Sequence, residues 1–122
     1  KFEDDYLDTL FDCLHDFGFN AVTYMPSRNT KAQLDRIIGL CNEHGFFQIS
    51  GEDINSPRQS FVCPAMTEYP ALYDSTYALI GHEIAATENP DCGMFTEKTI
   101  NEMPSLAERT AFFAEIGRKA GK

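Results

Sequence analysis

The apolar run Phe46-Phe47-Gln48-Ile49 leads into Gly51-Glu52-Asp53-Ile54-Asn55. In α/β proteins, a strand ending in a glycine and alternating polar side chains is where chemistry gathers, because ligands collect beyond the carboxyl ends of parallel strands. Asp53 and Asn55 are separated by one residue, so an extended backbone turns both side chains to the same side, toward a metal ion or an anionic substrate. Asp53 is the stronger metal-ligand candidate and Asn55 a neutral oxygen ligand. The competing reading makes Asp53 a loop cap and lets Asn55 close a turn before Ser56-Pro57.

Arg28 lies just past one candidate strand and Arg58 just past the next. Planar, forked guanidinium donors suit phosphate or carboxylate oxygens, and two of them on neighbouring loops can share one anion. Otherwise they are solvated surface cations, or partners of Glu52 and Asp53. Ser27 and Asn29 flank Arg28; each can donate to an anion or cap the helix that follows, with capping favoured for Asn29. Tyr24 faces the same crevice or packs in the core, core packing being favoured. Gly81-His82-Glu83 begins like a zinc-protease motif, but Ala86 stands where its second histidine belongs. His82 is therefore read as a polar surface residue or a support behind a site. Nothing in the sequence gathers around His15 or His44. No Gly-rich phosphate loop and no nucleophile elbow is present.

These residues need elements to hold them. Apolar residues at 2, 6, 7, 10, 11 and 14 follow helical spacing, which predicts a helix from Phe2 to Phe17 stopped by Gly18. The β-rich stretch Phe19–Met25 reads as a strand closed by Pro26. Thr30 and Gln33 form a capping box for a helix that buries Leu34, Ile37, Ile38 and Cys41 and ends at Gly45. Phe46 to Ser50 is a second strand. A strand, helix and strand joined by short turns make a βαβ unit with parallel strands, which brings the loops 26–29 and 51–58 together. Phe61–Pro64 is compatible with extended backbone. A helix covers roughly 70 to 88, with Pro70 in its first turn and a break near Asp74-Ser75. Asn89–Gly93 is a turn by composition. Ser105 and Glu108 open a last helix to about Arg118, whose apolar face is Ala111, Phe112 and Ile116.

The chain has 122 residues, 43% of them hydrophobic, which suffices for a real core. Its 10 basic and 19 acidic residues give a formal net charge of −9, which argues against nucleic acid or an anionic membrane as the main partner. No apolar run approaches the roughly 20 residues that span a bilayer. The four cysteines include no Cys-x-x-Cys pair, so they read as reduced thiols of a cytoplasmic protein, with Cys13 and Cys41 on apolar helix faces. Two strands do not make a stable sheet by themselves. The expectation is one incomplete domain, with residues 1–61 as the βαβ part carrying the site loops and 62–122 as a mainly helical extension. The missing strands then come from an upstream part of the parent domain or from a second copy by dimerisation.

The segment Thr23-Tyr24-Met25-Pro26-Ser27-Arg28-Asn29-Thr30, followed by Gly45-Phe46-Phe47-Gln48-Ile49-Ser50-Gly51-Glu52-Asp53-Ile54-Asn55, resembles the C-terminal part of PHP proteins. These are the polymerase-and-histidinol-phosphatase metal-dependent phosphoesterases. Their last metal-binding motif has the form Gly-x-Asp-x-His; Gly51 and Asp53 match it, and Asn55 stands at the histidine position. The run through Ser56–Phe61 looks like a bacterial subgroup of PHP-like proteins. The resemblance covers about residues 1 to 88. It implies a helix-rich α/β fragment of a distorted (β/α) barrel, with two parallel strands in a βαβ unit and a C-terminal helical extension. It further implies hydrolysis of a small phosphoester with a divalent metal (Mn, Fe or Zn) in the intact enzyme. Asp53 and Asn55 would serve that metal, Arg28 and Arg58 would steady the phosphate, and Glu52 and Ser27 would support them. The family's other metal ligands sit on earlier strands, so the isolated chain is expected to bind metal weakly or not at all and to be inactive. The alternative is a non-catalytic α/β binding or assembly module of PHP-like fold that has lost its metals; an asparagine in place of the histidine favours it.

Overall fold

Glycine stops and side-chain caps divide the first half of the chain. The computed structural model describes residues 6–51 and 68–121. The chain divides into two compact units, Lys1–Glu68 and Tyr69–Lys122. Among the described residues it is helix-rich α/β, with two parallel strands in one sheet.

In the first unit, helix α1 (Leu7–Asp16) buries Leu7 and Phe11. Its end is a Schellman arrangement, with Gly18 at φ +83° and the amides of Gly18 and Phe19 donating back to the carbonyls of His15 and Leu14. Strand β1 (Ala21–Tyr24) follows. Helix α2 (Lys31–His44) starts at a complete capping box: the Gln33 amide donates to Thr30 Oγ1 at 3.2 Å, and the Thr30 amide donates to Gln33 Oε1 at 2.9 Å. Gly45, at φ +72°, ends α2 and turns the chain into β2 (Phe47–Ser50). The strands run parallel in the register Ala21↔Phe47 to Tyr24↔Ser50. Helices and sheet share one core of Leu7, Phe11, Leu40, Cys41 and Phe46, against which Leu14, Val22 and Ile37 pack. Cys41 is fully buried, and burial pushes its thiol up to about 12. Cys13, expected on an apolar face, is exposed. It follows Asp12 on the outer side of α1, where helical periodicity alone does not separate the core stripe from its border.

The second unit contains α3 (Pro70–Glu88), a 3-10 turn at Pro90–Cys92, α4 (Glu97–Glu102) and α5 (Leu106–Ala120). Helix α3 runs without the break expected at Asp74-Ser75. Asp74 instead pairs with Arg118, Ser75 is buried, and the Thr76 hydroxyl donates to the Leu72 carbonyl within the helix at 3.0 Å. The expected inner face of α5 also differs. Phe113, Ala114 and Gly117 are buried, Ala111 is exposed and Phe112 is 49% exposed. The close α3–α5 crossing explains the rotation. A Cβ on Gly81 would fall 2.8 Å from the Phe113 carbonyl carbon, and one on Gly117 would fall 2.9 Å from that of Tyr77. Only small residues allow the two backbones to meet, so Ala114 and Gly117 take the interface and Phe112 turns outward. Helix α4, capped by the Thr96 side chain accepting from the Thr99 amide, was not expected from the sequence.

Candidate functional site

The two parallel strands end level with each other. The ladder continues one residue past β2, where the Gly51 amide donates to the Tyr24 carbonyl at 3.1 Å. Gly51 therefore lies directly beside the end of β1. Beyond β1, Pro26–Arg28 forms a 3-10 turn, with the Arg28 amide donating to the Met25 carbonyl at 3.1 Å. Pro26 is buried and anchors the turn, whereas Ser27 and Arg28 are exposed at its tip. Asn29 does not cap α2; its Nδ2 donates to the Met25 carbonyl at 2.8 Å, and Thr30 is the cap. Tyr24 packs in the core as favoured, 8% exposed, and its hydroxyl donates to Gln48 Oε1 at 2.7 Å. Gln48 Nε2 in turn donates to Asn42 Oδ1 at 3.2 Å. This chain of side chains ties the end of β1 to β2 and α2, so the base of the turn bearing Arg28 is fixed from behind.

Glu52, Asp53, Asn55 and Arg58 lie outside the described residues, as do residues 52–58, expected to form a loop, and Phe61–Pro64, expected to be compatible with extended backbone. Among the described residues, no group of three or more His, Cys, Asp or Glu side chains is arranged to hold a metal ion. Of the candidate site residues, the described ones are Ser27 and Arg28, both in the 3-10 turn that follows β1.

Two arrangements were missed from sequence. In the first unit, His15 and His44 gather with Phe11 and Phe46. The two imidazole centroids are 6.4 Å apart, His44 lies 5.9 Å from Phe11 and 6.1 Å from Phe46, and His44 Nε2 is 3.8 Å from Asp12 Oδ1. The available signal was positional: each histidine sits in the last turn of a helix, where a partial positive charge is favoured, shortly before a stop glycine.

In the second unit, His82 is not a plain surface residue. Its Nδ1 accepts the Met94 amide at 2.9 Å, while Arg109 Nη1 donates to the Met94 carbonyl at 3.1 Å. The Arg109 guanidinium is buried over the Phe95 ring, and its Nε has no hydrogen-bond partner. Burial lowers its affinity for the proton from the ordinary arginine range. In the same unit, a groove of about 250 Å³ is lined by Phe112, Phe113 and Ile116 together with Glu88, Lys98 and Glu102.

No family profile, no curated protein and no solved structure matches the chain. No helix among the described residues is long and apolar enough to cross a membrane.

Proposed function

We propose that the chain is the C-terminal portion of a PHP-like metal-dependent phosphoesterase of the cytoplasm, acting on a small phosphoester. The supporting observation is the level ending of β1 and β2. With Tyr24 opposite Ser50 and the Gly51 amide on the Tyr24 carbonyl, the turn carrying Arg28 and the chain leading to Asp53 start side by side. In parallel α/β sheets this is where ligands bind. The reading makes the βαβ unit the last part of a distorted (β/α) barrel. The described residues alone do not make a metal site, and the ligands proposed for this chain are Asp53 and Asn55, outside them. A bound divalent metal supplies Lewis acidity toward phosphoryl oxygens and activates water. The protein's own part is to hold the phosphate: Arg28, exposed at the tip of an anchored turn, offers a forked pair of donors, with Arg58 from the next loop and Ser27 and Glu52 in support.

A second reading, a non-catalytic binding or assembly module of the same fold, rests on Asn55 in the position of a metal-binding histidine. An amide oxygen holds borderline metals such as zinc less well than an imidazole nitrogen does. Elemental analysis of the parent protein, beside its Asp53→Ala variant, separates the two. Metal bound by the parent and lost from the variant is the expected result. A parent that stays metal-free after loading with manganese, iron or zinc would sink the phosphoesterase reading in favour of the module.

A further inference from the structure

We propose that His82 is a proton-operated latch on the segment from Gly93 to Phe95. Met94 is 1% exposed, and both of its backbone polar groups are held by side chains, the N–H by His82 of α3 and the carbonyl by Arg109 of α5. An imidazole nitrogen accepts a hydrogen bond only while it carries no proton. The latch therefore requires the neutral ring with its single proton on Nε2. A second proton sets N–H against N–H, and the buried Met94 amide loses its acceptor.

The charges facing the ring come from each element packed on it. On α5, Arg109 reaches the same residue from the other side and adds positive charge, while Phe113 meets the ring edge-on at 6.4 Å and offers no anion. On α3 itself, Glu83 Oε1 lies 3.9 Å from Nε2 and works in the opposite direction, but its side chain is 74% exposed and water screens it. Gly93 to Thr96 carry no charged side chain. The ring also has little room on the Gly93 side, where a Cβ would stand 3.1 Å from Cε1. A doubly protonated His82 in this position sets its Nδ1–H against the Met94 N–H instead of accepting from it.

The latch is closed while the His82 ring carries a single proton and opens when acid adds the second. The freed segment leads directly into α4, whose Lys98, Thr99 and Glu102 line one wall of the groove. Opening the latch loosens that wall.

The test is amide hydrogen exchange at Met94 in the full chain, from about pH 8 to about pH 5, corrected for the intrinsic dependence of exchange on pH. The expected result is a loss of protection of about tenfold to a hundredfold, the range that follows from stranding one buried donor. In His82→Asn the side-chain oxygen takes up the acceptor position without titrating, and protection should stay level. Level protection in the wild-type chain, or the same loss in the asparagine variant, overturns the proposal. Nitrogen-15 shifts of the His82 ring give a second readout that needs no variant. A neutral ring protonated on Nε2 at high pH supports the latch, and the opposite tautomer refutes it.

Discussion

Gly117→Ala and Gly39→Ala make the same chemical change at two helical glycines and should move stability in opposite directions. In a helix interior alanine is favoured over glycine by roughly 1 kcal/mol, chiefly because the unfolded glycine has more freedom to lose. Gly39 lies in α2, exposed, with nothing within 4 Å of an added Cβ, so Gly39→Ala should realise a stabilisation of about 0.5–1 kcal/mol. At Gly117 the added methyl would stand 2.9 Å from the Tyr77 carbonyl carbon and 3.2 Å from the Gly81 nitrogen. Both are backbone atoms, so no rotamer relieves the overlap; α3 and α5 must separate along the crossing that buries Ala78, Ala114 and Phe113. Overpacking of this kind costs about 1–3 kcal/mol where the surroundings can shift and more where they cannot. It therefore outweighs the propensity gain. Urea unfolding followed by far-ultraviolet circular dichroism reads the difference. With a slope of about 1–3 kcal/mol per molar urea, a net loss of ~2 kcal/mol lowers the midpoint by about 1 M. A Gly117→Ala variant as stable as the wild type would refute the close crossing. A Gly39→Ala variant destabilised to the same extent would refute the propensity argument instead. Gly81→Ala should resemble Gly117→Ala, and the double variant should cost less than the sum, because both methyls open one contact.

Thr30→Ala removes the acceptor half of the capping box and should cost the first unit about 1 kcal/mol, measured as a lowered urea midpoint. Cys41 should stay unlabelled by a maleimide in the native state while Cys13 reacts; mass spectrometry of the labelled peptides distinguishes the two, and rapid native labelling of Cys41 would contradict its burial. The Cys41 thiol is raised from 9.0 to about 12 in the folded chain, so its contribution to stability is complete below about pH 9 and is lost as pH rises toward 12. That loss is at most of order 4 kcal/mol, and Cys41→Ala should lack this part of the alkaline destabilisation in urea titrations at successive pH values.

What the sequence made legible was local chemistry with one outcome. Thr30 with Gln33, Gly18, Gly45 and Pro70 each have a backbone role that few other residues fill, and each marks an element boundary in the structure. The parallel order of β1 and β2 followed from the helix between them, and with it the position of Arg28 at the end of β1. Contacts between elements were not legible. Asp74 and Ser75 look like a helix break until Arg118 and the buried α3–α5 crossing are known. Ala111, Phe112 and Ile116 read as the apolar face of α5, yet the close backbone approach at Gly117 turns Phe113, Ala114 and Gly117 inward instead. His15 and His44 are far apart in sequence, and the packing of α1 against α2 brings them together. Of the candidate site, Ser27 and Arg28 could be placed, while Glu52, Asp53, Asn55 and Arg58 lie outside the described residues.

The βαβ connection also constrains the order of folding. A hairpin can zip outward from its turn, but β1 and β2 are parallel and joined through the whole of α2. Pairing the strands before α2 forms costs the full entropy of closing the uncoiled connection before any ladder bond compensates it. A helix of 14 residues with a capping box at one end and a glycine stop at the other supplies that shortening locally. The expected order is therefore α2 first and strand pairing after it. Thr30→Ala should then act chiefly by slowing refolding, whereas a change confined to the unfolding rate in stopped-flow kinetics would place strand pairing first.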